Sequence, residues 1–317
     1  MSLVAPAPLR SSSSPTPSQL AVAYAVCRGI TRAQAKNFYY GFLLLPKLKR
    51  RALTAVYAFM RRCDDIADDP TLAPGERKQR LDAWVAAFHA AARGQATDEP
   101  VLLALVDAQY RFQIPGRLLD QLVLGTAMDV EVDQSRIEDR EAASPRHPIQ
   151  YGNIQELEQY CYNVASVVGL VCIRIFGYGD PAAEFLAERL GLAFQLTNIL
   201  RDIQEDAALG RVYLPEEDLA RFGVSAAELT SATEARKFRP LLVFEAERAF
   251  EHYAAGDELL AFVSEDSQPA LWVLLTIYRS LLEKIVRLDY EVFSGKVALS
   301  LREKLTIFAK GVLKRIF

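Results

Sequence analysis

After about residue 18, apolar residues recur at intervals of three and four through almost the whole chain. The pattern is clearest over 47–68, 76–93, 117–132, 154–176, 182–207, 234–262 and 268–292, and it is the period of one face of an α-helix. Proline and glycine fall mostly between these stretches, at Pro70, Pro74/Gly75, Pro100, Pro115/Gly116, Pro145/Pro148, Gly177/Gly179/Pro181 and Pro215, where they separate helices. Strand-like alternation is scarce, and no internal repeat is found at a period of roughly 20 to 50 residues. No linker divides the body. The chain is therefore expected to form one all-α domain over 19–317, after a disordered Ser/Pro-rich tail over 1–18, with its main loop at 134–152.

Composition narrows the function. Hydrophobic residues make up 51% and charged residues 24%, enough apolar material for a large core. A net charge of -3 argues against nucleic acid, which asks for a basic excess. Cys27, Cys63, Cys161 and Cys172 form no CxxC pair and are too sparse for a disulfide framework, which implies a reducing compartment and a cytoplasmic protein. His89, His147 and His252 lack metal-ligand spacing. No uninterrupted apolar run reaches the roughly 18 to 20 residues of a membrane span. The N-terminus lacks the charged start and apolar core of a secretory signal; it is Ser-rich and acid-poor, as transit peptides are.

The acidic residues are unevenly placed. Ten basic residues precede the first carboxylate, which is Asp64. In AFMRRCDDIADDP at 58–70, Asp64 and Asp68 are four apart, and Arg61 shares their helix face. Asp65 and Asp69 make a second such pair one residue round. Like charges at this spacing, near a helix C-terminus, are locally unfavourable, so a cation is expected to offset them. Magnesium suits the position, because it takes oxygen ligands and bridges one or two carboxylates to phosphate. A single DxxxD is more often a solvated face, and the first pair alone does not decide the matter.

The second site is sharper. Gln195, Asn198, Asp202 and Asp206 form one polar stripe on a helix otherwise rich in Leu192, Phe194, Leu196, Ile199 and Leu200. Such a stripe reads as the wall of a polar cleft inside an apolar body. Arg201 and Arg211 lie close enough in sequence to contact diphosphate oxygens.

NFYYGFLLLP at 37–46, YAFMRRCDDIADD at 57–69, YCYNVASVVG at 160–169 and QLTNILRDIQEDAALGRVYLP at 195–215 resemble the motifs of the squalene/phytoene synthase family, in the family's order. The resemblance spans roughly residues 33 to 290. It implies an isoprenoid-synthase helical bundle around a central apolar cavity, and head-to-head condensation of two prenyl diphosphates through a cyclopropyl intermediate. By the same resemblance, Asp64 and Asp68 are the first metal-binding pair, and Asn198, Asp202 and Asp206 the second. Arg61 contacts a diphosphate. Tyr57, Tyr160 and Gln195 belong to the reaction centre, and Phe38 and Phe42 wall the cavity. Asp129, in GTAMDVEVD, matches a family aspartate, although Thr126 and Ala127 depart from the pattern before it. By themselves, without the resemblance, Phe38 and Phe42 read as ordinary core packing rather than as a cavity wall.

Within the family, NFYYGF resembles bacterial presqualene diphosphate synthases. The expected reaction is therefore farnesyl diphosphate to presqualene diphosphate or squalene. The alternatives are phytoene synthase acting on geranylgeranyl diphosphate, a head-to-tail prenyl transferase or terpene cyclase, and a non-catalytic relative serving as an assembly factor. The cofactor expected is Mg2+, with Mn2+ as a substitute. NADPH stays open, since the family binds it without a Gly-rich motif. Finally, LREKLTIFAKGVLKRIF at the C-terminus puts Leu301, Leu305, Phe308, Val312 and Ile316 on a stripe beside Lys304, Lys310, Lys314 and Arg315. Such a helix either covers the core or lies on a membrane surface as a peripheral contact.

Overall fold

In a computed structural model the described residues are 15–35, 38–141, 151–231 and 236–316. They form α1 (Pro17–Gln34), α2 (Phe38–Leu43), α3 (Lys47–Ala67), α4 (Pro74–Ala92), α5 (Pro100–Arg111), α6 (Gly116–Glu141) and α7 (Ile154–Cys161). A π-helical segment (Tyr162–Ser166) joins α7 to α8 (Val167–Phe176). Then follow α9 (Ala182–Ala208), α10 (Glu216–Arg221), α11 (Ala226–Thr230), α12 (Arg239–Phe262), α13 (Gln268–Arg287) and α14 (Leu301–Ile316). No strand occurs among the described residues, and the all-α expectation holds.

Helix starts follow capping chemistry. Thr16 and Gln19 form a capping box at α1, and Ser225 and Glu228 form another at α11. The Asn153 side chain accepts from the Glu156 backbone at α7. α8 stops at Gly177, whose φ of 78° suits glycine. Lys49 then ties three elements together: its Nζ donates to the Phe176 carbonyl at 2.7 Å and to Ser267 at 3.0 Å.

α9 is the central element and packs along α12, α8 and the π segment. Two glycines let the π segment sit tightly between its neighbours. A Cβ at Gly191 of α9 would lie 2.6 Å from Ser166 Cα, and one at Gly125 of α6 would lie 3.0 Å from the Asn163 carbonyl oxygen. The extra residue of a π turn shifts the register of side chains that follow it. Here Tyr160, Val164, Ala165 and Val168 all reach the central cavity.

Several boundaries differ from the sequence reading. α1 starts at Pro17, inside the stretch assigned to the tail, of which 1–14 lie outside the described residues. α6 runs on to Glu141, into the expected 134–152 loop, of which 142–150 lie outside the described residues. α13 ends at Arg287, not near 292, because Asp289 and Tyr290 turn to φ of 52° and 62°. The unbroken helical run Ile154–Phe176 is long and apolar enough to span a bilayer by length and composition. It is a core helix, packed on α9 and α6 and lining the cavity. On α14 the expected stripe divides: Phe308 and Val312 turn toward the core, while Leu301 and Leu305 face solvent. The side chain of Ile316 lies outside the described residues.

Candidate active site

Two helices change character along a single face. On α3 the face runs through Leu53, Val56, Tyr57 and Met60 to Asp64 and Asp68. On α9 it runs through Ala187, Leu190 and Phe194 to Gln195 and Asn198, and then, at helical spacing, to Asp202 and Asp206. The α3 face as far as Asp68 and the α9 face as far as Asn198 line a cavity of about 420 Å³, which Phe38, Phe42, Tyr160, Leu271 and Tyr278 also line; Asp202 and Asp206 are not among its lining residues. The result is an apolar chamber with carboxylates and amides at one end.

The two aspartate pairs of α3 are now distinguishable. Asp64 and Asp68 line the cavity. Asp65 is paired outside it with Arg61 at 2.7 Å, and Asp69 accepts from the Thr71 backbone at 2.9 Å in the turn beyond the helix. Burial first, then the neighbouring Asp68, pushes the Asp64 carboxyl up to about 6. Thr126 of α6 donates to it at 3.5 Å. Burial and then Asp202 push the Asp206 carboxyl up to about 7. For Asp202, burial acts upward too, but Arg201 and Lys296 outweigh it and hold the carboxyl below its ordinary value.

Asn198 adds a decisive detail. Its Nδ2 donates to Gln195 Oε1 at 3.3 Å, whereas its Oδ1 is buried with no hydrogen-bond partner. A buried acceptor without a donor is costly. This oxygen, with Asp202 and Asp206 on the same stripe, makes an oxygen donor set suited to a hard divalent cation. Among the described residues no three His, Cys, Asp or Glu side chains close into a metal cage. An ion held here would draw further ligands from water and substrate oxygens, as magnesium does in phosphate sites.

Aromatic rings line the apolar part. Phe194 stacks on Tyr278 with centroids 4.2 Å apart, and Phe38 lies 5.6 Å from Tyr278 and 6.3 Å from Phe42. Tyr160 stacks on Tyr213 at 5.2 Å and meets Tyr151 at 5.4 Å. Tyr57 borders the cavity, and burial raises its hydroxyl above its usual value.

The predicted residues Phe38, Phe42, Tyr57, Asp64, Asp68, Tyr160, Gln195 and Asn198 thus meet at one cavity. The three arginines of the expected site each contact an acidic residue of the motifs or its backbone. Arg61 holds Asp65. Arg201 holds its neighbour Asp202, with Nε donating to Oδ1 at 2.8 Å. Adjacent side chains on a helix diverge, yet the long guanidinium folds back to reach the carboxylate. The Arg211 backbone N–H caps α9 through the Asp206 carbonyl at 2.7 Å, and its charge lowers the Asp206 carboxyl against the effect of burial. Asp129 is on α6, but its side chain lies outside the described residues. Sequence reasoning missed Lys296, whose Nζ lies 2.9 Å from Asp202 Oδ1 and 2.6 Å from Glu205 Oε2. It also missed Tyr278 and the pairing of Thr126 with Asp64. Neither Lys296 nor Tyr278 stands in a recognisable motif, so only the fold brings them in.

The sequence profile described as "Squalene/phytoene synthase" matches residues 31–303. This chain belongs to the squalene/phytoene synthase family. It is 34% identical over 294 residues to a phytoene synthase of Arthrospira platensis, covering 89% of each chain. It is 35% identical over 297 residues to a phytoene synthase of Mycobacterium tuberculosis, covering 93% of this chain and 92% of that one. A dehydrosqualene synthase crystal structure superposes with a TM-score of 0.79 at 29% identity, over 93% of this chain and 97% of that one. A squalene synthase from Alicyclobacillus acidocaldarius gives 0.75, also at 29% identity, over 88% of this chain and 98% of that one. The fold of this family member is accordingly the isoprenoid-synthase bundle.

Proposed function

We propose that the protein is a magnesium-dependent head-to-head prenyl transferase that condenses two geranylgeranyl diphosphates to phytoene. The observation that carries this reading is the convergence of two oxygen-rich helix faces on one aromatic-lined apolar chamber. The phytoene synthases at 32 to 35% identity support the twenty-carbon substrate over the farnesyl diphosphate favoured by the NFYYGF segment. The dehydrosqualene and squalene synthase structures at 29% identity keep a fifteen-carbon substrate as the second reading. A non-catalytic relative would be expected to have eroded motifs, and both acidic motifs are intact.

Asp64 and Asp68 on one side, and Asn198, Asp202 and Asp206 on the other, would hold the metal. Bound magnesium would supply positive charge to a departing diphosphate. Lys296, Arg201 and Arg211 add fixed positive charge beside the second motif, placed before the reaction begins. When the first allylic C–O bond breaks, its electron pair leaves with the diphosphate and a carbocation remains on the tail. The chamber walls exclude water that would quench it. Faces of Phe38, Tyr57, Tyr160, Phe194 and Tyr278 stabilise the cation, by up to about 2 kcal/mol for a desolvated ring. The double bond of the second substrate attacks, and loss of a proton closes the cyclopropane. A second ionisation, rearrangement and proton loss give the hydrocarbon. Two substrates yield one hydrocarbon, two diphosphates and two protons, so no reductant enters.

The test offers purified protein geranylgeranyl or farnesyl diphosphate with magnesium, each with and without NADPH. Phytoene from the longer substrate, unaffected by NADPH, is expected. Turnover of farnesyl diphosphate alone would establish the second reading, and head-to-tail products or untouched substrate would defeat both.

A further inference from the structure

A buried charge cluster joins α10 to α12, outside the chamber. Asp218 of α10 and Glu245 of α12 are 4% and 2% exposed. One guanidinium serves both: Arg248 Nη1 donates to Asp218 Oδ2 at 2.9 Å and to Glu245 Oε2 at 2.7 Å. Glu245 Oε1 is buried and accepts no hydrogen bond. Among the described residues Arg248 is the only cation paired with either carboxylate. Of the other charged groups nearby, Arg221 of α10 lies over the Phe244 ring at 4.6 Å, and Arg279 of α13 is paired with Asp257. His252 stands one turn further along α12; burial, then Arg189 of α9 and Arg248, bring its ring down to about 4, so it is neutral. Two buried carboxylates against one cation leave an uncompensated charge, which is costly in a dry site. One proton on Glu245 removes that charge and turns an acceptor into a donor, with the Asp218 carboxylate as its partner. Burial pushes the Glu245 carboxyl up to about 8; Arg248 opposes the rise and Asp218 adds to it.

The cluster anchors an element that reaches the chamber. Tyr213 lies just before α10, and its ring stacks on Tyr160, a cavity wall. At the start of α10 the Glu216 and Glu217 N–H groups donate to the Tyr151 and Gly152 carbonyls at 2.9 and 3.1 Å, and Glu217 Oε1 accepts from the Ile154 N–H at 2.9 Å. α10 therefore fixes both Tyr213 and the segment bearing Tyr151, which also meets Tyr160. We propose that Asp218, Glu245 and Arg248 form a one-proton latch that holds α10 on α12 and so positions Tyr213 against Tyr160. They are positioning residues, since none of them lines the cavity. A carboxyl raised above its unfolded value of about 4.3 supports the closed latch fully below that value. The support is lost as pH rises through about 8, so opening grows by up to about tenfold per pH unit between the two values and then levels off. The catalytic consequence at Tyr160 rests on the proposed function; the latch itself does not.

The test is hydrogen exchange over residues 211–221 of the full chain from pH 6 to 9, without substrate and corrected for the intrinsic pH dependence of exchange. Protection is expected to fall by up to about tenfold per pH unit to about pH 8 and then level. Glu245→Gln keeps a donor but has no proton to lose, so its protection should stay nearly constant over the same range. Glu245→Ala should lose protection there at every pH while α5 stays protected, and if that variant fails to fold, the parent and the glutamine variant decide. No fall in the parent, or the same fall in Glu245→Gln, would overturn the latch. Turnover of geranylgeranyl or farnesyl diphosphate then tests the positioning: the alkaline fall in kcat should be lost in Glu245→Gln. Identical kcat profiles beside different exchange profiles would overturn the positioning role. The exchange arm contains no substrate, so its outcome is independent of whether the protein makes phytoene.

Discussion

Lys296 Nζ sits 2.9 Å from Asp202 Oδ1, so the segment between α13 and α14 closes onto the acidic face of α9. Lys296 is half exposed, and an ion pair of that kind adds at most about 1 kcal/mol to stability. On the proposed function, its value lies in positive charge held beside the second acidic motif. Lys296→Met is expected to lower kcat/KM about 10- to 100-fold, the worth of one hydrogen bond to a charged group. The melting temperature should barely move. Steady-state kinetics beside thermal denaturation checks both halves.

Asp64 and Asp65 are neighbours in sequence with opposite fates, one lining the cavity and one paired outside it with Arg61. Asp64→Asn is expected to lower turnover at least about 10²–10³-fold, as losing a preorganised electrostatic group does, while the protein still folds. Asp65→Asn should stay close to the parent. Equal losses would mean that the pair has been assigned the wrong way round.

Proton competition gives a pH signature. The carboxyls of Asp64 and Asp206 are raised to about 6 and about 7, above their unfolded values. Their contribution to metal-free stability is therefore fully present below the unfolded range near pH 4. It is lost as pH rises through 6 to 7. A divalent cation needs the ionised forms, so its affinity should fall about tenfold for each pH unit below 7. The rise in melting temperature on adding magnesium to EDTA-treated protein is expected to be small at pH 5.5 and large at pH 8. In Asp206→Asn this pH dependence should flatten. A magnesium effect independent of pH would contradict the assignment.

Two glycines make a packing control. Gly191→Ala would press a methyl against the Ser166 backbone at 2.6 Å, with an expected cost of about 1–3 kcal/mol and a displaced π segment. Gly29 in α1 has nothing within 4 Å of a Cβ, so Gly29→Ala should stabilise by about 0.5–1 kcal/mol. Chemical denaturation of both variants measures the contrast.

The sequence made the helical architecture and the α9 stripe readable, because a polar row on an apolar helix is a local property. Asp64/Asp68 could not be separated from Asp65/Asp69 by spacing alone, since both pairs are four apart; Arg61 decides it, through the side it takes. Phe194 looked like a helix flank and proved to be a cavity wall, because its partner Tyr278 is on another helix. The end of α13 was misplaced because apolar residues continue past Arg287 while the backbone has already turned over. Lys296 was invisible for the same long-range reason. The face of α14 was misread because the i, i+4 leucine ridge and the core-facing Ile307/Gly311 side interleave along a single helix.

The most direct test of the two-helix chamber is stoichiometry in one reaction mixture containing geranylgeranyl diphosphate, magnesium and no reductant. Two diphosphates released for each forty-carbon hydrocarbon formed is the expected result. Diphosphate release with prenyl alcohol as the only organic product, or one diphosphate for each longer prenyl diphosphate, would contradict it.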